Sequence, residues 1–207
     1  NGNDGTDNIK TYNSSNNRVD GGNGNDAITV YRGSNNEVSG GNGDDVINAS
    51  YTHSNIIKGD RGNDTIGGKY TGNNIISGGT GDDMIYVDKG NNNYIAGNAG
   101  DDILDATGDR NIINGGAGKD SIDILGNNNE AYGSFGNDDI NASLTDGESW
   151  TPTTSAGAAA FGILSGVELG ISVCGLSENN GRHCQPVQLY RAGHRGSGGA
   201  RCAEGEA

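Results

Sequence analysis

A short glycine-rich segment that recurs at a fixed interval most constrains the fold of this chain. It reads Gly-Gly-Asn-Gly-Asn-Asp-Ala-Ile at residues 21–28, and eight variants of it occur within residues 1–143. Successive copies are 19 residues apart five times and 18 residues apart twice. Such a constant interval is typical of a solenoid, in which each repeat forms one coil and buries its apolar side only against neighbouring coils.

Four positions of the segment are restricted in residue type. The first position is always glycine, at Gly2, Gly21, Gly40, Gly59, Gly78, Gly97, Gly115 and Gly133. The fourth is also always glycine, at Gly5, Gly24, Gly43, Gly62, Gly81, Gly100, Gly118 and Gly136. The sixth is always aspartate, at Asp7, Asp26, Asp45, Asp64, Asp83, Asp102, Asp120 and Asp138. The second is Gly, Asn or Asp except at Ser134. A position that never carries a Cβ needs a positive φ or close approach of another chain segment.

The rest of each repeat predicts two short strands. Apolar residues alternate with polar ones after each aspartate, as in Ile28-Thr29-Val30, and this period of two indicates a strand with one buried face. A second half follows the pattern Asn-x-aliphatic-x-Gly, with asparagines at Asn17, Asn36, Asn55, Asn74, Asn93, Asn111 and Asn129. One coil is therefore predicted to be two strands joined by a glycine-rich turn and an asparagine-bearing turn.

The two turns differ in how far their lengths vary from coil to coil. The interval from each of these asparagines to the next aspartate is always nine residues, whereas the opposite interval is ten residues in five coils and nine in two. The glycine-rich arc thus permits no change of length, which indicates a ligand or tight geometry on that side. We expect the asparagines to stack as an amide ladder that satisfies the backbone of the other turn. The fold class is all-β, a parallel solenoid of about eight coils.

The stacked aspartates predict a bound cation. Neighbouring coils about 4.8 Å apart place the carboxylates in a column of like charges, which repel one another or must protonate. Ca²⁺ accepts six to eight oxygen ligands including main-chain carbonyls, whereas Mg²⁺ prefers a tighter octahedron. Zn²⁺ lacks its usual ligands, because residues 1–143 contain no Cys and one His. The alternative is that the aspartates only cap turns through Asx-type hydrogen bonds.

The repeated segment resembles the G-G-x-G-x-D-x-U-x nonapeptide of RTX (repeats-in-toxin) proteins, over residues 1 to about 143. The resemblance implies a right-handed parallel β-roll or β-solenoid with Ca²⁺ between adjacent turns. It also implies that the sixth-position aspartates supply side-chain ligands, and that main chain around the first- and fourth-position glycines supplies carbonyls. The motif occurs on one side of each coil only, so we expect a single column of up to seven ions. A 19-residue period with one calcium side is similar to the solenoid of certain bacterial ice-binding adhesins.

Composition agrees with a metal-dependent fold outside the cell. Hydrophobic residues are 31% and 39 of the 207 residues are glycine, so we expect the repeats to be disordered without metal. The net charge of −14 argues against nucleic acid or an anionic membrane as partner.

The chain starts at Asn1 within a motif, and we expect a fragment or processed product, a monomeric module of a larger chain. The RTX resemblance implies secretion by a bacterial type I system.

Periodicity ends after Ser143, and residues 144–207 are predicted to form a non-repetitive cap or tail that is partly disordered. The apolar, glycine-rich run 156–176 is expected to form a short helix or strand that covers the open end of the solenoid. A membrane-spanning helix in this run is disfavoured by its glycines and by Glu168. His183, Cys184, His194 and Cys202 are the candidates for a zinc site, but their spacing matches no standard pattern.

No catalytic motif is found, since G-x-S-x-G, the P-loop and H-E-x-x-H are all missing from the sequence. The expected function is therefore non-enzymatic: a calcium-binding structural or secretion-associated module of an adhesin or toxin. One alternative is ice binding, although Thr80 alone matches the expected threonine row and Arg61, Lys119 and Phe135 interrupt a regular surface. The other is a carbohydrate-binding accessory module of an enzyme. Six tyrosines are candidates for a glycan or cell-surface contact, namely Tyr12, Tyr31, Tyr51, Tyr70, Tyr86 and Tyr94.

Overall fold

The structure is a computed structural model that describes residues 1–143 and the segments 149–150, 158–160, 170–176 and 182–188. The first sixteen strands are β1 Asn3–Asp4, β2 Asn8–Tyr12, β3 Arg18–Asn23, β4 Ala27–Tyr31, β5 Glu37–Asn42, β6 Val46–Ser50, β7 Ile56–Arg61, β8 Thr65–Lys69, β9 Ile75–Thr80, β10 Met84–Asp88, β11 Tyr94–Ala99, β12 Ile103–Thr107, β13 Ile112–Ala117, β14 Ser121–Leu125, β15 Glu130–Phe135 and β16 Asp139–Ser143. Four more are β17 Ser149–Trp150, β18 Ala158–Ala160, β19 Gly170–Leu176 and β20 Arg182–Gln188.

Strands β1 to β16 form the parallel solenoid that the repeat predicts, with about seven turns where about eight coils were expected. The odd-numbered strands make one sheet and the even-numbered strands make the other. Every strand pairs with its equivalent in the next coil, and the register joins residues 19 or 18 apart, for example Ile28 with Ile47 and Leu104 with Ile122. This register carries equivalent side chains into continuous rows along the solenoid.

The core lies between the two sheets and consists of the predicted aliphatic rows. Residues such as Ile28, Ile57 and Ile85 are 1% exposed, and most of the residues that alternate with them within each strand face solvent. A single coil could not bury these side chains, because its own two strands cover only part of the surface of each isoleucine. The apolar core therefore forms only when coils stack.

The difference in length between coils falls in the asparagine-bearing turn. Five residues, 89–93, separate β10 from β11, whereas four residues, 108–111, separate β12 from β13. The glycine-rich turn keeps its length in every coil. The prediction that the asparagine-bearing turn varies in length while the glycine-rich turn does not is therefore confirmed.

Beyond residue 143 the described strands change direction. Strand β17 pairs antiparallel with β16, and β18 pairs antiparallel with β15. No helical segment with the length and hydropathy needed to span a bilayer occurs in the described part of the chain. The proposed zinc ligands His194 and Cys202 lie outside the described residues, and the side chains of His183 and Cys184 are not described.

Candidate calcium-binding turns

The glycine-rich turn buries its aspartate in each coil. The sixth-position carboxylates follow an odd-numbered strand and precede an even-numbered one, so that they lie inside the turn. Those from Asp26 to Asp120 are 1–2% exposed, Asp138 is 7% exposed, and Asp7 in the first coil is half-buried. All eight predicted aspartates are therefore brought into one column along one side of the solenoid.

One carboxylate oxygen of each aspartate after Asp7 accepts a backbone N–H from the preceding coil. Oδ1 of Asp83 accepts the backbone N–H of Asp64 at 2.8 Å, and the same bond recurs at each step of the column. The other N–H to Oδ1 distances are 2.8 Å from Asp7 to Asp26, 2.7 Å from Asp26 to Asp45 and 2.8 Å from Asp45 to Asp64. Further along the column they are 2.8 Å from Asp83 to Asp102, 3.0 Å from Asp102 to Asp120 and 3.1 Å from Asp120 to Asp138. The capping role that the sequence left as an alternative is thus real, but it uses only one oxygen.

The other oxygen has no partner. Oδ2 of every sixth-position aspartate is buried and makes no hydrogen bond within the described structure. A buried polar atom without a partner costs about 1–3 kcal/mol, and more when it is charged. Repeated in eight successive coils, this is a column of unsatisfied anionic oxygens and not an isolated irregularity.

The asparagine row on the opposite side provides an internal comparison. Oδ1 of Asn74 accepts the N–H of Asn55 at 2.8 Å, just as the aspartates do. Nδ2 of Asn74 then donates to Oδ1 of Asn93 at 3.2 Å, so the amide ladder satisfies itself. The predicted amide ladder is confirmed. Aspartate in the same arrangement places an oxygen where asparagine places a donor, and therefore needs a proton or a cation.

The restricted glycines have two separate causes. The second and fourth positions of all eight copies have positive φ, including Asn3 at 79° and Ser134 at 74°. The first-position glycines do not; instead, a Cβ there would lie 2.1–2.4 Å from Oδ2 of the aspartate in the same copy. At Gly21 the carbonyl oxygen of Gly40 is also 2.3 Å from that point. Only glycine leaves space where the unpartnered oxygen and a carbonyl of the next coil face each other.

Burial raises the pKa of the five carboxyls from Asp45 to Asp120. The pKa rises from 3.8 to about 6 for Asp45, Asp64, Asp83 and Asp120, and to about 7 for Asp102. Desolvation is the largest cause, neighbouring carboxylates add to it, and the N–H donated to Oδ1 opposes it. Without a cation these five carboxyls therefore hold protons far more tightly than free aspartate does.

The donor set fits Ca²⁺. Each gap offers anionic oxygens from the aspartate column together with carbonyl oxygens that the glycines leave accessible, and Ca²⁺ binds both types. No three acidic, His or Cys side chains converge anywhere in the described residues. Main-chain carbonyls would therefore have to supply much of the coordination, as the glycine-rich turn predicts.

A second ladder on the same turn was not predicted as such. The five fifth-position side chains from Asn25 to Asp101 are exposed and accept N–H groups from the following coil, whereas the sixth-position side chains accept from the preceding coil. Oδ1 of Asp44 accepts from Asn63 at 2.8 Å, and Oδ1 of Asp82 accepts from Asp101 at 2.8 Å. The signal in the sequence is the Asn or Asp found at this position in most copies. The adjacent third-position row includes exposed Arg61 and Phe135, which makes the surface chemically irregular.

Comparison with known proteins agrees with this geometry. A family model, the RTX calcium-binding nonapeptide repeat, matches the chain in four copies, at residues 32–50, 52–68, 70–94 and 90–122. Searches of the curated proteins and of the solved structures give no significant match. The eight in-register motif copies, the parallel solenoid and the matched family model agree with one another. The repeats within residues 32–122 accordingly match the RTX calcium-binding nonapeptide repeat.

Proposed function

We propose that residues 1–143 are a calcium-dependent scaffold module of a secreted bacterial protein of adhesin or toxin type, which folds outside the cell. The column of unpartnered Oδ2 atoms is the observation that supports this proposal most strongly. Ca²⁺ held between successive turns by the sixth-position aspartates and the carbonyls around the motif glycines would neutralise the column. The RTX family is a structural calcium-binding module, and the proposed role is accordingly non-catalytic.

Because calcium binding would be coupled to folding, the compartment in which the chain lies would decide whether it folds. Unfolded repeats cross a secretion channel as an extended chain, and they gain their free energy of folding only where calcium is abundant. Residues 1–143 contain no cysteine, so calcium would also take the place that disulfides hold in many extracellular domains. Secretion and metal dependence thus have one physical explanation.

The calcium concentration at which the chain folds tests this proposal. Extracellular calcium modules bind with dissociation constants of about 10⁻⁴–10⁻³ M, and we expect the folding midpoint of the full chain in that range. The titration is followed by far-ultraviolet circular dichroism in calcium-buffered solutions. A midpoint below about 10⁻⁶ M would contradict folding outside the cell, since the affinities of cytosolic buffers and sensors extend to that level and below.

The pH dependence of stability should change sign with calcium. In calcium-free buffer the aspartate pKa values are raised above the unfolded value of 3.8, so their stabilising contribution is complete below about pH 4. It is lost as the pH rises through 6 to 7, the folded pKa values of Asp64 and Asp102. With calcium bound, the ionised form is required, and stability should increase over the same range.

The measurement is the residual β-sheet signal between pH 4.5 and 8, a range that contains the folded pKa values of about 6 and about 7, together with the thermal midpoint wherever a thermal transition is seen. Calcium is removed with a chelating resin, because EGTA loses its own affinity for calcium in acid. The same slope with and without calcium would contradict the assignment of the aspartate column as the calcium ligands.

A further inference from the structure

The asparagine-bearing turns carry a row of tyrosine rings on the outside of the solenoid. The aromatic ladder consists of Tyr12, Tyr31, Tyr51 and Tyr70, whose successive ring centroids are 6.2, 5.4 and 5.1 Å apart. Tyr12, Tyr51 and Tyr70 are 44–56% exposed, so the rings contact each other while much of their surface remains open. The ladder contains one ring from each of four successive coils and so follows the solenoid axis. Tyr86 and Tyr94, which the sequence grouped with these residues, are not in this series of ring contacts.

The backbone of this turn does not explain the large side chains. One turn position is occupied in successive coils by Arg32, Tyr51, Tyr70 and Lys89, and its φ lies between 54° and 58°. Glycine or asparagine adopts this left-handed conformation at lower cost than a residue with a long side chain. Four consecutive coils therefore place an aromatic or basic side chain where the fold alone would favour a small residue.

Cations lie close to these rings. The Arg32 guanidinium is 5.2 Å from the centroid of Tyr31, and the ammonium groups of Lys69 and Lys89 are 5.5 and 5.4 Å from the centroid of Tyr70. Such distances are typical of cation–π pairs. Lys69 also forms an ion pair with Asp88 at 3.0 Å, which neutralises part of its charge.

The charge of this turn is opposite to that of the whole chain. The turn segments 12–16, 31–35, 50–54, 69–73, 88–92 and 107–110 contain four basic and two acidic residues. The chain as a whole has a net charge of −14. Basic residues are thus concentrated beside the aromatic ladder, and this local excess favours an anionic ligand.

Hydrogen-bond donors surround a shallow groove beside the last two rings. Tyr51, Tyr70, His53, Asn91 and Asn92 line it. Oδ1 of Asn91 accepts the N–H of Asp109 at 2.7 Å, and Oδ1 of Asn92 accepts Nε–H of Arg110 at 2.9 Å. The amide oxygens are therefore used within the protein, and the groove offers amide N–H groups in preference to acceptors.

We propose that the aromatic ladder, with Arg32, Lys69 and Lys89, binds a linear anionic polysaccharide that carries carboxylates on its sugar rings. Sugar C–H faces would pack on the tyrosine rings, the carboxylates would meet the cations, and hydroxyl groups would accept hydrogen bonds from the amides. A polymer fits a ladder that repeats once per coil. Nucleic acid carries a denser charge and would be repelled more strongly by the acidic remainder of the chain. This recognition role is additional to the scaffold function and uses the turn opposite to the aspartates.

The test is binding of the full chain, in saturating calcium, to a hyaluronan oligosaccharide measured by isothermal titration calorimetry. Hyaluronan carries carboxylates but binds calcium only weakly, so the metal does not confound the result. A neutral cello-oligosaccharide and an oligothymidylate of similar length are the comparators. We expect hyaluronan to bind at least about tenfold more tightly than either, a difference that one strong contact can supply. No binding of hyaluronan, equal binding of the neutral sugar, or tighter binding of oligothymidylate would overturn the proposal.

Variants locate the surface. Tyr51→Ser with Tyr70→Ser should weaken hyaluronan binding about tenfold or more, because anchoring aromatic residues dominate such contacts. Tyr94→Ser is the matched control: Tyr94 is 42% exposed but lies on strand β11 and outside the ladder. Its affinity should stay within about twofold of the unmodified chain. Arg32→Gln with Lys89→Gln leaves all four rings in place and should also weaken binding, so the proposal stays testable if the tyrosine variant fails to fold. Unchanged affinity in either folded variant would overturn it.

Discussion

In EGTA at pH 8, above the folded pKa values of the column aspartates, the full chain is expected to give the circular dichroism spectrum of a random coil, and addition of millimolar calcium should restore a β-sheet spectrum. The reason is the column of buried Oδ2 atoms, which leaves an unneutralised carboxylate in every coil. Apolar burial cannot offset this cost readily, because only 31% of the residues are hydrophobic. Each coil also gains its burial from its neighbours, so the loss should be cooperative.

Magnesium is the control for this experiment. The same concentration of Mg²⁺ should restore little structure, because Mg²⁺ requires a near-ideal octahedron and gives up its water reluctantly. A folded spectrum in EGTA would contradict the account. Recovery that is as complete with magnesium as with calcium would show that general charge screening, and not a specific site, stabilises the solenoid.

Replacing three successive column aspartates with asparagine should reduce the dependence of the fold on calcium. In the variant Asp64→Asn, Asp83→Asn, Asp102→Asn, each Oδ1 keeps its N–H from the preceding coil and each new Nδ2 can donate to the next side chain, as Nδ2 of Asn74 does. Stability in EGTA should therefore rise, by about 1–3 kcal/mol for each orphaned oxygen removed. The calcium stoichiometry should fall, because these residues border four of the seven gaps between motif copies.

The fifth-position row provides a control with the same change in charge. Asp44→Asn, Asp82→Asn, Asp101→Asn also removes three charges, but these side chains are exposed and each accepts an N–H from the following coil. The residual β-sheet signal in EGTA and calorimetric titration with calcium compare the two triple variants. If they behave alike, net charge and not the buried column controls the response to calcium.

The repeat predicts much of this architecture before any coordinates are considered. Positions that share a spacing of 19 or 18 residues must stack if the chain forms coils, so the strand register and the core rows follow from the sequence alone. Ile28 and Ile47 are paired as expected. The position of the shortened coils also follows, because a deletion that leaves the glycine-rich arc intact must fall in the other turn.

The chemistry of individual oxygens could not be predicted in this way. Spacing shows that Asp83 and Asp102 are stacked, but it does not show that Oδ1 caps a backbone N–H while Oδ2 remains unpartnered. The role of the first-position glycine also depends on where Oδ2 lies, since its φ is not positive. The aromatic ladder needs the structure because Tyr31 and Tyr51 are 20 residues apart and occupy different positions of the repeat.

The central claim is that calcium ions lie in the gaps between successive glycine-rich turns. X-ray diffraction from crystals grown with calcium, collected at a wavelength where calcium scatters anomalously, locates the ions directly. The account predicts a single column of anomalous peaks beside the carboxylates from Asp7 to Asp138, with up to seven ions, one for each gap between the eight motif copies. Gaps that contain only water, or peaks that lie elsewhere on the solenoid, would contradict it.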